Sequence, residues 1–139
     1  MAQEHMTVEI VTRTKRRVIE EALSCSAPGV LGYFQILPNH TAFISELSVG
    51  EVKVQTAERT YLYAESGGFL EVVDNKVLLL LEAAEAAEEI DVERAMKAKE
   101  RAEQRLQNPD ASIDIARAQA ALARALNRLK VAEKVTVSV

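Results

Sequence analysis

The chain has 139 residues, 27% of them charged, with a net charge of −4, one cysteine and two histidines. The acidic balance argues against nonspecific nucleic-acid binding, which wants a basic surface. Cys25 alone rules out an internal disulfide framework, and no apolar run reaches the ~18 residues a spanning helix needs.

All six aromatic residues and all five glycines fall within the first 69 positions. Short strands with turns are expected there, and helices in the Ala/Glu/Arg/Lys stretch that follows. The opening MAQEHMTVEI lacks the basic and apolar regions of a signal peptide, so the expected location is cytoplasmic. Met6 to Thr12 alternates and reads as a first strand. Thr14 to Arg17 reads as a polar, solvated turn rather than a phosphate patch, and Val18 to Cys25 as a second strand with Cys25 as a small core residue. Pro28, Gly29 and Gly32 make Ala27 to Tyr33 loop-like, before a short apolar run Phe34 to Leu37. Ala42 to Leu47, Gly50 to Gln55 and Thr60 to Glu65 follow as strands, with Glu58-Arg59 in a hairpin. Phe69 to Val73 and Lys76 to Leu81 flank Asp74-Asn75, a two-residue hairpin signal. Some eight short strands point to a sandwich or flattened barrel.

The remainder is helical. Asp91 is suited to cap a helix over Arg94 to Leu106, and Asn108-Pro109 ends it. Asp110 or Ser112 caps a second helix running to about Glu133, leaving Lys134 to Val139 as a β-like tail. So short a link makes the two helices antiparallel. Ala95, Ala98 and Ala102 then face Ala118, Ala121, Ala125 and Ala132. A seam of alanines buries little area and is easily detached. Arg94, Arg101 and Arg105 repeat the spacing of Arg117, Arg124 and Arg128, so each trio forms a stripe. A stripe of this kind is either a solvated face balanced by glutamates or a site for phosphates or carboxylates, which guanidinium forks match.

Catalytic chemistry has little foothold. His5, His40 and Cys25 have no metal-ligand spacing, and no phosphate-binding glycine loop or nucleophile elbow occurs. No metal site and no catalytic residue are expected.

Three segments carry a family resemblance: Ile36-Leu37-Pro38-Asn39-His40; Ser66-Gly67-Gly68-Phe69-Leu70-Glu71-Val72 followed by Asp74-Asn75-Lys76-Val77; and Glu88-Glu89-Ile90-Asp91-Val92-Glu93-Arg94-Ala95. In that order and spacing, over residues 6 to 133, the chain resembles the epsilon subunit of the bacterial F-type ATP synthase. The resemblance implies an N-terminal antiparallel β-sandwich of about ten strands at 1–87, then a C-terminal antiparallel two-helix hairpin at 88–139. It implies a non-catalytic place in the central stalk, beside the gamma subunit and on the c-ring. The complex would lie at the cytoplasmic face of the inner membrane, with no membrane insertion by this chain. Gly29, Val30, Leu31, Gly32 and His40 match positions that contact the c-ring or gamma. The hairpin is expected to extend toward the catalytic alpha/beta hexamer and inhibit ATP hydrolysis, with Arg117, Arg124 and Arg128 meeting acidic residues there. Some members bind ATP as a regulatory ligand, and the matching positions are Glu85, Ile90, Asp91, Arg94 and Ala95, with Arg101, Arg124 and Arg128 as phosphate partners. No cofactor is required.

Two departures accompany the resemblance. Tyr33-Phe34-Gln35 is inserted between Gly32 and Ile36, and Val30 stands where many relatives carry a polar or acidic residue. Two other readings stay open: a free-standing ATP-sensing module, and a static adaptor whose hairpin never moves.

Overall fold

The computed structural model describes residues 3–137, which form two compact units, Met1–Glu85 and Ala86–Val139. The first holds β1 (Met6–Val11), β2 (Arg16–Gly29), β3 (Gly32–Ile36), β4 (Phe43–Leu47), β5 (Gly50–Thr56), β6 (Thr60–Glu65), β7 (Gly68–Val73) and β8 (Lys76–Leu81), with the short β9 (Ala84–Ala86) at its end. The strands join in the order β1-β8-β7-β4-β2-β5-β6-β9, with β3 beside β2, and β1 pairs with β2 as well as β8. The result is the expected sandwich; the pairings among β1 to β8 are antiparallel except for the β1–β8 pair.

β2 is the strand that makes the sandwich. Its first half pairs with β1 and its second half with β3 and β5. The register shifts near Ala22, where Glu21 takes a positive φ of 55°. Strand and turn signals are clear where side chains alternate. β1 buries Met6, Val8 and Ile10 and leaves the residues between them half-exposed. The β7–β8 turn holds Asp74 and Asn75 at φ 49° and 61°, the left-handed pair a two-residue hairpin demands. Gly68 has φ +151°, and a Cβ there would come 2.0 Å from the Leu80 carbonyl oxygen, so any side chain would part β7 from β8. The core contains Ile36, Val52, Val54, Leu70, Val72 and Leu79, and Cys25 is buried among core residues as expected.

Two assignments in the β unit differ from the expectation. Arg16 and Arg17 begin β2, because the turn closes earlier: the Thr12 hydroxyl accepts from the Lys15 N–H at 3.1 Å. Ala27 to Tyr33 is not a loop. β2 runs through Pro28 to Gly29, a two-residue turn holds Val30 and Leu31, and β3 starts at Gly32. Pro28 lacks an N–H but still offers its carbonyl, which accepts from Ser48. The end of a strand tolerates that loss.

In the second unit a short 3-10 turn (Ala87–Glu89) leads to α1 (Val92–Gln107) and then α2 (Ile115–Val137). The Asp91 side chain accepts from the Arg94 N–H at 3.0 Å, as an N-cap should. The α2 cap is Asp114 rather than Asp110 or Ser112. Its carboxylate takes the Arg117 N–H at 3.1 Å. Asp110 instead closes its own turn onto Ser112, whose hydroxyl and N–H hold its carboxyl below the usual range. The β-like tail is also overturned. Lys134 to Val137 continue α2, while Ser138 and Val139 lie outside the described residues. With Ala132 and Lys134 in register, α2 simply propagates at one further hydrogen bond per residue.

Candidate functional site

The residues expected to be functional gather mainly at two places, one in each unit. The first is the β2–β3 turn. Gly29 and Gly32 pair across it, Gly32 at φ +131°, and Val30 N–H donates to the Glu46 carbonyl at 3.1 Å. Leu31 is fully exposed and Val30 is 52% exposed. Two bare aliphatic side chains at the tip of a braced hairpin cannot serve this unit's own core, which suits them to a partner surface.

His40 does not share that place. β3 runs away from the turn for five residues, and β4 runs back to it. The His40 loop therefore stands a strand's length from Leu31, about 16 Å. There the loop is locked by amides. Asn39 N–H donates to the Asn75 side chain at 2.6 Å, and Asn39 exchanges two hydrogen bonds with the Gln3 backbone. The His40 ring meets Phe43 edge-on at 5.6 Å.

The second place is the helical hairpin. Its seam is set by alanines: Ala95 and Ala102 on α1, and Ala118, Ala125 and Ala132 on α2, all buried. Ala98 and Ala121 flank them, half-buried. The arginines follow from that seam. Arg94 and Arg101 each precede a buried alanine of α1 by one residue, and Arg117 and Arg124 do the same on α2. Arg105 and Arg128 each follow one by three. Both offsets turn the same way around a helix. In an antiparallel pair, equal offsets from the seam fall on one side, so all six arginines share one broad face of the hairpin. Their levels also match. Arg105 and Arg117 lie two residues in from the link, and Arg94 and Arg128 thirteen. Arg101 and Arg124 lie between them, six and nine residues in, so the arginines form a ladder along the face.

Arg94, Arg101, Arg105, Arg117 and Arg124 are exposed and Arg128 is half-buried. Among the described residues, no ion pair engages the side chains of the five exposed arginines; the pair within α1 is Lys97–Glu93 at 3.5 Å, on other faces. Parallel rows of guanidinium groups repel one another unless an anion joins them. Of the other expected nucleotide positions, Asp91 caps α1, Ala95 fills the seam and Ile90 is buried. These three shape the hairpin's start, while the arginines supply its charge. Glu85 stands in β9 of the first unit, half-exposed.

One residue was passed over in the sequence. Glu65 is buried, and burial pushes its carboxyl up to about 7 although two backbone N–H groups pull the other way. A signal existed: Glu65 holds an inward position of β6, two residues after the buried Tyr63.

Residues 5–87 match the family model described as ATP synthase, Delta/Epsilon chain, beta-sandwich domain, and residues 88–133 its long alpha-helix domain. The ATP synthase epsilon chain of Nitratidesulfovibrio vulgaris is 47% identical over 129 residues, covering 93% of this chain and 96% of that one. The ATP synthase epsilon chain of Desulforamulus reducens is 44% identical over 126 residues, covering 91% and 96%. A chain of the Euglena gracilis mitochondrial ATP synthase (OSCP/F1/c-ring) superposes with a TM-score of 0.82 at 24% identity, over 96% of this chain and 84% of that one, which is a likeness of fold. With both units matched in order and nearly the whole length aligned, the chain belongs to the ATP synthase delta/epsilon family, among its epsilon chains.

Proposed function

We propose that this chain is a non-catalytic central-stalk subunit of the proton-translocating synthase. Its β unit docks on the rotor, and its helical hairpin regulates ATP hydrolysis. The apolar Val30–Leu31 tip is the c-ring contact, and the His40 loop, a strand's length away, faces gamma. Val30 makes the ring contact apolar where many relatives offer a polar or acidic residue. Among the described residues no helix is long and apolar enough to cross a membrane. Attachment at the cytoplasmic face runs through the gamma and c-ring partners.

The observation that carries the regulatory reading is the arginine ladder on an alanine seam. The ladder provides guanidinium forks along both helices, and such forks match phosphate oxygens. ATP bound along it would relieve the repulsion between the two rows and hold the hairpin folded. Without ATP, the weak seam lets α2 leave, and Arg117, Arg124 and Arg128 meet acidic residues of the alpha/beta hexamer. Charge complementarity of that kind sets orientation and encounter rate more than affinity.

Isothermal titration of the full chain with ATP, with ADP as control, tests this reading. One-to-one binding that the Arg101→Ala, Arg124→Ala double variant weakens tenfold or more supports it. No binding up to millimolar ATP overturns the nucleotide role. A second measurement separates the static adaptor: truncation after residue 87 should raise the ATPase activity of the assembled synthase, and an unchanged rate would make the hairpin a fixed brace.

A further inference from the structure

Tyr33 lies on β3 two residues after Leu31, within about 7 Å of it along the backbone. Its side chain is held at one end and bare along the rest. The hydroxyl accepts from the Glu51 N–H at 3.0 Å, yet the residue is 66% exposed. A ring left in water adds nothing to this unit's own core, which suits it to a partner surface.

The bond to Glu51 follows from where the strands part. β5 pairs with β2 from Thr56 to Lys53, and two residues before Lys53 the Tyr33 hydroxyl takes over as its partner. Close packing keeps the hydroxyl there. Gly50 lies so tightly against it and against Pro28 that a Cβ would come within 2.7 Å of each. Pro28 is the cross-strand partner of Tyr33, and its carbonyl accepts the Ser48 N–H at 2.8 Å and the Ser48 hydroxyl at 3.2 Å. Val30, in the turn itself, donates its N–H to the Glu46 carbonyl. The turn and the ring are thus fastened to β4, β5 and the residues between them, and Tyr33 is set beside Val30 and Leu31.

We propose that Tyr33 is the anchor of the tip's contact with the c-ring, its aromatic ring lying against the partner while its hydroxyl stays bound to Glu51. The inference rests on the docking role given to Val30 and Leu31, and it names the residue that carries most of the binding. A tyrosine offers a large, rigid, amphipathic surface with only two side-chain torsions, so little freedom is lost when it is covered. Here the hydrogen bond restrains the side chain before any partner arrives, which is preorganisation built into the free chain. Tyrosine is also enriched among the residues whose truncation costs an interface most, whereas leucine and valine are under-represented. The aliphatic pair then serves to keep water from the ring.

Binding of the full chain to vesicles holding the c-ring, with gamma present, tests the anchor. Tyr33→Ala should weaken binding about thirtyfold or more. Tyr33→Phe keeps the ring and loses the hydrogen bond, so it should weaken binding less than about tenfold. Equal losses in the two variants would make Tyr33 a brace for the turn and overturn its role as the contact. Leu31→Asp is the control on the docking role. If it abolishes binding while Tyr33→Ala binds like the wild type, the anchor falls and the docking role stands. If all three variants bind like the wild type, both fall. Should Tyr33→Ala fail to fold, nitration by tetranitromethane reads the wild-type ring directly. Tyr33 should react in the free chain and be shielded on the vesicles, with the buried Tyr63 inert in both states. Equal nitration of Tyr33 in the two states overturns the proposal.

Discussion

The two units of this chain bury different things. The β unit closes over large aliphatic side chains held by pairings between strands far apart in sequence, such as β1 with β8 and β4 with β7. The helical unit closes mainly over alanine methyl groups, with Val131 and Ile90 buried beside them and Leu106, Leu122 and Leu129 only half-buried. A fully buried leucine or valine contributes ~1.5–3 kcal/mol and a methyl group under 1. The β unit is therefore built to stay shut while its surface carries a load. On the regulatory role proposed for it, the hairpin would need only a modest change in binding energy to open. A regulatory element has to come from the weakly held part of a structure, and the alanine seam is the more weakly held of the two.

That contrast can be broken by experiment, and the chain supplies separate reporters. All three tyrosines, Tyr33, Tyr61 and Tyr63, lie in the β unit. Tyrosine fluorescence follows that unit, while circular dichroism at 222 nm is dominated by α1 and α2. The largest effect is expected from Leu79→Ala, a fully buried site on β8. The cavity should cost ~2–5 kcal/mol in urea unfolding followed by tyrosine fluorescence. A loss below ~1 kcal/mol would mean that the sandwich core is not the stiff partner.

The next effect is the pH dependence set by Glu65. Its folded pKa, about 7, lies above its unfolded value, so the folded state holds the proton more tightly. Below ~4 both states are protonated and Glu65 contributes nothing to the pH dependence. As pH rises toward 7 the unfolded chain releases its proton first, and stability falls. Above 7 the whole cost is present, ~3 kcal/mol at most. Glu65→Gln should therefore leave stability nearly unchanged at pH 4 and raise it at pH 8. A variant equally destabilised at both values would show that the carboxyl is needed as a hydrogen-bond acceptor and carries no titration penalty.

In the hairpin, Ala125→Leu should cost ~1–3 kcal/mol, because the seam has no room for the added carbons. The loss should appear at 222 nm and leave the tyrosine transition in place. If both probes moved together by the same amount, the chain would unfold as one cooperative body and the contrast between its units would fail.

Much of this arrangement was legible in the sequence because single residues decide it. Asp74-Asn75 demands a left-handed turn, Asp91 a helix start and Asn108-Pro109 a helix end, and each sits where the sequence placed it. The arginine ladder was legible too, since a seven-and-four spacing fixes a stripe and a short link fixes antiparallel helices. What misled was composition standing in for pairing. Pro28, Gly29 and Gly32 read as a loop, yet β2 needs that proline only as an acceptor and a partner for Tyr33. Val135 and Thr136 read as strand formers, but the helix already under way continued through them. The separation of His40 from the Val30–Leu31 tip could not be read at all. It depends on β3 and β4 forming a there-and-back excursion, which only the assembled sheet makes plain.

The smallest expected effect is also the one that best divides structure from ligand. Asp91 caps α1 through the Arg94 N–H, so Asp91→Ala should cost ~1 kcal/mol of helix stability whether or not a nucleotide binds. Asp91→Asn keeps a capping oxygen and loses the charge. If Asp91 matters to ATP only by holding the start of α1, the asparagine variant should bind ATP like the wild type, and slightly better as a negative charge leaves the site. If its carboxylate touches the nucleotide, Asn should bind as poorly as Ala. We expect the first result. The ladder offers six guanidinium groups for phosphate, and a carboxylate already committed to a helix N–H adds only repulsion toward an anion. Equal weakening in both variants would move Asp91 from scaffold to ligand contact, and with it the centre of the site from the ladder to the helix start.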